Sequence, residues 1–278
     1  MKVIPCRTPR ALLERIGPRL AENEVENNLV LGVLADIQAD PDQFAGEACL
    51  LLVEAEGDPI GAALMTPPRE LILTRLPTAA MPALVEHLRK VGKPPPGVVG
   101  PSPETRSFAQ CWAVRTGMTA RLGMQQTIYE CARVSALDHS PGVLRAATAA
   151  DVDPLAEWRR QYRREVGLAD EDESHRAAIA RRIARGQLHV WEDGQAVSMA
   201  CFGGETDRGV RLFLVYTPPQ FRARGYATAC VGSLTGRLLD SGKTYCCLYA
   251  DQGNSASNGV YRKVGYRPIG DAEIWQFK

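Results

Sequence analysis

The chain has 278 residues, 45% apolar and 23% charged, a globular composition with room for one large or two ordinary domains. Lys and Arg total 33 against 32 Asp and Glu, so the balance gives no argument for nucleic acid or an anionic membrane as partner. No apolar run approaches twenty residues and the opening Met1-Lys2-Val3-Ile4-Pro5 lacks the core of a signal peptide, so a cytoplasmic protein is expected.

Cys49 opens a strand-like run that turns at Glu56-Gly57-Asp58 and returns to Thr66, a hairpin pattern. A short strand-like run over 71–74 follows, then an amphipathic helix with Met81, Leu84, Val85, Leu88 and Val91 on one face. Val98-Val99 reads as a further strand, and a helix carrying Phe108, Cys111 and Trp112 ends at Gly117. Residues 121–131 are strand-like and are expected to close this half. Residues 132–142 then lose periodicity and end in Pro141-Gly142, which marks a boundary between a unit over 1–135 and another over 143–278.

The second half repeats that order. Two helical patterns come first, over 151–166 (stripe Leu155, Trp158, Tyr162, Val166) and about 171–185. Trp158 and Tyr162 suit either ordinary core or the wall of a pocket. The run Asp170-Glu171-Asp172-Glu173 suits either a solvated loop favouring a helix N-terminus or an attraction for a cationic amine. A hairpin over 188–203 turns at Asp193-Gly194, a strand-like run spans 210–216, and Ala227, Val231, Leu234 and Leu238 form a helical stripe ending at Gly242. Residues 244–250 read as a buried strand. Asn254 is a fitting N-cap for a short helix packed through Ala256, Val260 and Val264 and stopped at Gly265. Residues 266–277 are expected to close the second half. The eight cysteines form no Cys-x-x-Cys and the four histidines are scattered, so reduced, buried thiols and no metal site are expected.

Between the 210–216 run and the helix after it lies Arg222-Ala223-Arg224-Gly225-Tyr226-Ala227-Thr228. Amides at a helix N-terminus have no helical acceptor and the helix dipole adds positive charge, so such a turn can cradle a phosphate, which small residues let close to the backbone. The segment lacks the Gly-Lys-Ser/Thr of a Walker loop and the spacing of a dinucleotide fingerprint. Its Arg-x-x-Gly-x-Ala pattern resembles the acyl-CoA pyrophosphate loop of the GNAT N-acetyltransferase superfamily. Asn254, Ser257, Tyr261, Gly265 and Tyr266 fit the spacing of that superfamily's next element.

The resemblance covers residues 143–278, and the chain as a whole is similar to two GNAT-like lobes in tandem, an α/β fold with mixed, mostly antiparallel sheet flanked by helices. It implies an N-acetyltransferase that uses acetyl-CoA, needs no metal and acts on the primary amine of a small molecule by direct attack through a tetrahedral intermediate. Cofactor-binding positions carried over are Val215, Tyr216 and Thr217 for the pantetheine arm, Arg222, Ala223, Arg224, Gly225, Tyr226, Ala227 and Thr228 for the pyrophosphate, and Asn254. Tyr261 is the expected general acid, because a phenol of pKa about 10 lies not far above a thiol of about 8.5.

The pattern fails at the base. Where some members carry a Glu on the fifth strand, this chain has Tyr249, and no spacing selects among Asp251, Glu157, Glu165, Glu205 or a water chain. In the first half, the place of the loop is taken by Arg75-Leu76-Pro77-Thr78-Ala79-Ala80, without glycine, and that of Tyr261 by Ala113. That half is therefore expected to bind no CoA and to shape the acceptor site. Two other functions stay open: a non-catalytic acyl-CoA-binding regulator, and a metabolite-specific acyltransferase similar to mycothiol synthase. No feature fixes the oligomeric state.

Overall fold

The computed structural model describes residues 1–40, 44, 46–167 and 174–278; the acidic run Asp170–Glu173 lies outside them. In chain order the first half runs β1 (Lys2–Cys6), α1 (Pro9–Glu22), α2 (Glu24–Ala39), β2 (Cys49–Ala55), β3 (Asp58–Met65), β4 (Leu71–Leu73), α3 (Met81–Lys90), β5 (Gly97–Pro101), α4 (Ser102–Thr116) and β6 (Ala120–Cys131). The second runs β7 (Val143–Ala146), α5 (Val152–Glu165), α6 (His175–Ala184), β8 (Leu188–Asp193), β9 (Gln195–Gly203), β10 (Gly209–Tyr216), α7 (Tyr226–Asp240), β11 (Tyr245–Asp251), α8 (Ser255–Val264) and β12 (Arg267–Phe277). The turn residues act as their chemistry requires. Glu56 and Gly57 both take positive φ in the β2–β3 turn, and Gly117 and Gly265 end α4 and α8 in the left-handed region.

All twelve strands share one sheet, in the order β1-β2-β3-β4-β5-β12-β6-β11-β10-β9-β8-β7. Two neighbouring pairs, β4–β5 and β10–β11, are parallel and the others antiparallel. Helices cover both faces. Around the first half, α1 and α2 bury Leu12, Ile16 and Leu34 on one face, and α3 and α4 bury Leu84, Leu88, Phe108 and Trp112 on the other. The second half repeats this with α5 and α6 against α7 and α8.

The closing strands correct the sequence expectation. β6 pairs with β11 from Cys131↔Cys246 to Gln126↔Asp251, and β12 pairs with β5 from Ala272↔Pro101 to Gln276↔Gly97, so each half is closed by the other half's last strand. The two exchanged strands also pair with each other over most of their length. Phe277 accordingly lies in the first half's core against Trp112 and Phe108, while Tyr129 and Cys131 lie in the second half's core. Alternation tells a strand which face to bury but not which edge to join, and both edges here offer apolar surface.

A second seam is polar. Glu24 on α2 accepts from Arg208 Nε at 2.8 Å and from Tyr245 Oη at 3.0 Å, and Asn28 Nδ2 donates to the Gly204 carbonyl at 3.0 Å. One turn along α2, Gly32 sits so close to Gly204 that a Cβ would stand 2.5 Å from its Cα. Gly32→Ala should therefore cost about 1–3 kcal/mol by forcing α2 off the second half, whereas Gly17→Ala in α1, where a Cβ would make only ordinary van der Waals contact with Leu13, should be neutral or slightly stabilising. Chemical denaturation of both variants checks this.

The start of α5 is fixed by charge. Asp151 accepts two hydrogen bonds from Arg145 of β7 (2.8 and 2.9 Å) and two from Thr148, through its backbone N–H and its hydroxyl. The Arg145 hydrogen bonds, opposed by burial, hold its carboxyl at about 2. A depressed folded pKa gives stability present above the unfolded value and lost as pH falls through the folded one. Wild type should thus lose about 2 kcal/mol relative to Asp151→Asn between about pH 4 and pH 2, read as urea midpoints across that window.

Candidate active site

β10 and β11 pair in parallel only over Gly209–Arg211 and Tyr245–Cys247. Farther along, β10 breaks register with β9 between Phe213 and Tyr216, and Leu214 takes φ 51°, a left-handed conformation for a residue with a branched side chain. Leu214 and Val215 consequently have no register partner on either neighbouring strand. The gap beside Val215 opens into a cavity of about 610 Å³.

The loop at the mouth of this cavity follows from its small residues. A short 3-10 turn over Pro219–Phe221 leads to Arg222 in extended conformation, then Ala223 at φ 60° and Gly225 at φ 80°, which starts α7 with no side-chain cap. The first helical bond runs from Ala229 N to Gly225 O. Among the described residues, the amides from Ala223 to Thr228 therefore have no protein acceptor, and they sit at the positive end of a fifteen-residue helix. A run of alternating left-handed residues with outward N–H groups is an anion-binding concavity.

Val215, Tyr216, Thr217, Arg222, Ala223, Gly225, Tyr226, Ala227, Thr228, Asn254 and Tyr261 all line the cavity; Arg224 does not. Several of these side chains have another task. Arg222 grips both carboxylate oxygens of Glu165 at 2.9 and 2.7 Å, donates to the Thr217 carbonyl at 2.9 Å and lies over the Tyr216 ring. Tyr216 donates to Glu165 at 2.9 Å, and burial, aided by that carboxylate, pushes its phenol up to about 12. Tyr226 donates to Asp193 at 2.6 Å, pinning the loop to the β8–β9 turn. Asn254 caps α8 by accepting from Ser257 N at 3.0 Å and lines the cavity.

Tyr261 stands on α8 at 8% exposure, its ring 6.1 Å from Tyr129 and 6.0 Å from Tyr266. Among the described residues its hydroxyl has no hydrogen-bond partner, and burial raises its pKa. The helix beneath it is held by Asn258, which accepts from Tyr129 Oη at 2.9 Å and donates to the carbonyls of Asp251 and Asn254. Tyr129 lies on the exchanged strand β6, so the first half positions Tyr261, a dependence no spacing in the sequence announces.

A second cavity of about 420 Å³ lies along Leu212, Phe213 and Leu214, and Tyr162 lines both cavities, whereas Trp158 packs in the core with Leu155. The first half contributes Leu29, Val33, Val99 and Gln126 to it. Tyr249 is there too, its hydroxyl donating to the Glu26 carbonyl at 3.2 Å. Of the acids weighed as base, Glu157 is bonded to Arg160 and Gln161, Glu205 pairs with Lys243, and Asp251 accepts from Gly253 N. Of these acids, Glu165 lines the first of the two cavities and none lines the second. The sequence reading missed Asp36, which lines the second from α2.

In the first half, β4 and β5 pair in parallel over Leu71↔Val98 and Ile72↔Val99. Just beyond that pairing a Cβ on Gly100 would meet the Leu73 carbonyl oxygen at 2.5 Å, so the two backbones are still in close contact there. Leu76 is buried at 5% exposure, and no residue from 75 to 80 takes a positive φ. Among the described residues no group of His, Cys, Asp and Glu could hold a metal ion, the eight cysteines are free, and no helix is long and apolar enough to cross a membrane.

The FR47-like protein family matches residues 194–276, the stretch that carries the loop and Tyr261. No curated protein matches the chain by sequence. Solved structures do match in shape. A GNAT-family acetyltransferase from Colwellia psychrerythraea aligns over 100% of this chain and 99% of its own, with a TM-score of 0.59 at 14% identity. A GCN5-related N-acetyltransferase from Sphaerobacter thermophilus aligns over 99% and 95%, with a TM-score of 0.62 at 15% identity. A tandem GNAT protein from the clavulanic acid biosynthesis pathway aligns over 100% and 98%, with a TM-score of 0.56 at 11% identity. The chain is a protein of the GNAT fold, built as two lobes in tandem.

Proposed function

We propose that the protein transfers the acetyl group of acetyl-CoA to a primary amine on a small molecule, by direct attack through a tetrahedral intermediate. The observation that carries this reading is the run of unpartnered amides from Ala223 to Thr228 at the mouth of a cavity that also holds the unpartnered Tyr261 hydroxyl. Those amides suit a diphosphate, which Gly225 lets approach the backbone. The edge of β10 at Val215 suits the pantetheine amides, and a Val215 N–H suits the oxyanion of the intermediate. The first half, whose segment over 75–80 has no glycine and no positive φ, holds no CoA in this reading and instead walls the acceptor cavity.

Tyr261 delivers a proton to the departing thiolate. Burial raises the phenol's pKa, and the same burial disfavours the thiolate it protonates, so the difference that governs transfer stays small. The geometry singles out no carboxylate as base, and this reading leaves the amine to lose its proton to solvent. Tyr249 in place of a carboxylate favours a second reading, an acyl-CoA-binding regulator without turnover.

Calorimetry and thiol release on the full chain with a panel of amines test these. Turnover supports transfer, tight acetyl-CoA binding with no release from any amine supports the regulator, and the absence of binding sinks both. A single acceptor far above the rest of the panel would point to an enzyme dedicated to one metabolite. Tyr261→Phe should lower kcat by about 10²-fold or more while acetyl-CoA affinity stays within about twofold; unchanged turnover would make Tyr261 structural. Gly225→Val, with φ at 80°, should instead abolish measurable acetyl-CoA binding in calorimetry.

A further inference from the structure

The second cavity has a marked charge. Six arginines line it, Arg69, Arg159, Arg163, Arg181, Arg182 and Arg211, against one carboxylate, Asp36. Three of them lack an ion-pair partner among the described residues. Arg182 donates to Gln187 Oε1 at 2.7 Å and lies 4.9 Å from the Phe213 ring centroid; Arg211 donates to Asn28 Oδ1 at 3.3 Å; Arg69 lies over Phe44. The hydrogen-bond and ring partners of each are neutral, and the one carboxylate in reach of Arg182, Asp36, leaves the cavity with an excess of positive charge. Burial pulls Arg182 below its ordinary pKa, the mark of a cation kept from water at a cost.

The three come from separate parts of the molecule: Arg69 from the segment between β3 and β4, Arg182 from α6 and Arg211 from β10. Retaining cations side by side in one cavity is unfavourable unless an anion joins them. Arginine forks match the paired oxygens of a carboxylate or phosphate. Tyr162 forms a common wall with the first cavity, so a molecule seated among the arginines can extend its other end toward the reacting centre.

We infer that the acceptor is an anionic amine, a primary amine whose far end carries an oxyanion, carboxylate or phosphate monoester, bound by Arg69, Arg182 and Arg211. This rests on the acyl-transfer reading and is the opposite of the cationic acceptor that the acidic run suggested.

The test compares kcat/KM of the full-length protein for four amines: 4-aminobutanoate, 2-aminoethyl phosphate, butylamine and 1,4-diaminobutane. An anionic amine should exceed butylamine at least about tenfold, and its identity tells carboxylate from phosphate. Arg182→Gln and, independently, the exposed Arg69→Gln should each raise KM for that amine and narrow its advantage over butylamine. Preference for butylamine or the diamine, or an advantage unmoved in both variants, overturns the inference. Thermal shift with 4-acetamidobutanoate and N-butylacetamide gives a readout without turnover. A rise with the anionic amide alone, lost in Arg182→Gln, supports an anion site at these arginines even if no amine releases thiol, an outcome that would sink transfer and with it the acceptor role; no difference between the two amides overturns the anion site itself.

Discussion

The parting of β10 from β11 after three residue pairs is the constraint on which the site depends. A parallel pair that continued would fill the space where Val215, Tyr216 and Thr217 now face a cavity, and would leave no unpaired backbone edge. The break is held by Leu214 at φ 51°, a conformation costing on the order of 1 kcal/mol. It persists because both sides of β10 are fixed: Arg211 remains in register with Cys247 and Gly203, and Tyr216 returns to register with Met199. The same break places Leu212–Leu214 against the second cavity and Val215–Thr217 against the first.

The exchanged strands make the two halves one unit. β6 supplies Tyr129, whose hydroxyl fixes Asn258 and hence the helix bearing Tyr261, and β12 supplies Phe277 to the aromatic cluster with Phe108 and Trp112. Together with the Glu24, Asn28 and Gly32 seam, this ties the loop-bearing half to the other half. In the proposed reading, one half holds the donor and both enclose the acceptor.

Arg222 has a place in this economy that the motif alone did not convey. Its guanidinium is committed to Glu165, Thr217 and Tyr216, so it shapes the rim of the cavity while the charge at its mouth comes from backbone amides. A rim built from an ion pair about half exposed on each side is weakly held, whereas the amides are fixed by α7 itself.

What the sequence determined by itself was local. The hairpins, the glycine-stopped helices, the loop from Arg222 to Thr228 and the Asn254 cap are set by residue chemistry within a few positions, and each formed where its residues required. The partners of the closing strands were decided only by tertiary structure, because a strand's alternation specifies a face and not a neighbour. α2 escaped notice for a related reason: it buries Val30, Leu34 and Ile37 against one half and Glu24, Asn28 and Gly32 against the other, so no single apolar stripe remains. Arg69 lies more than a hundred residues before Arg182 and Arg211 in the chain, and only the fold could bring it to the same cavity.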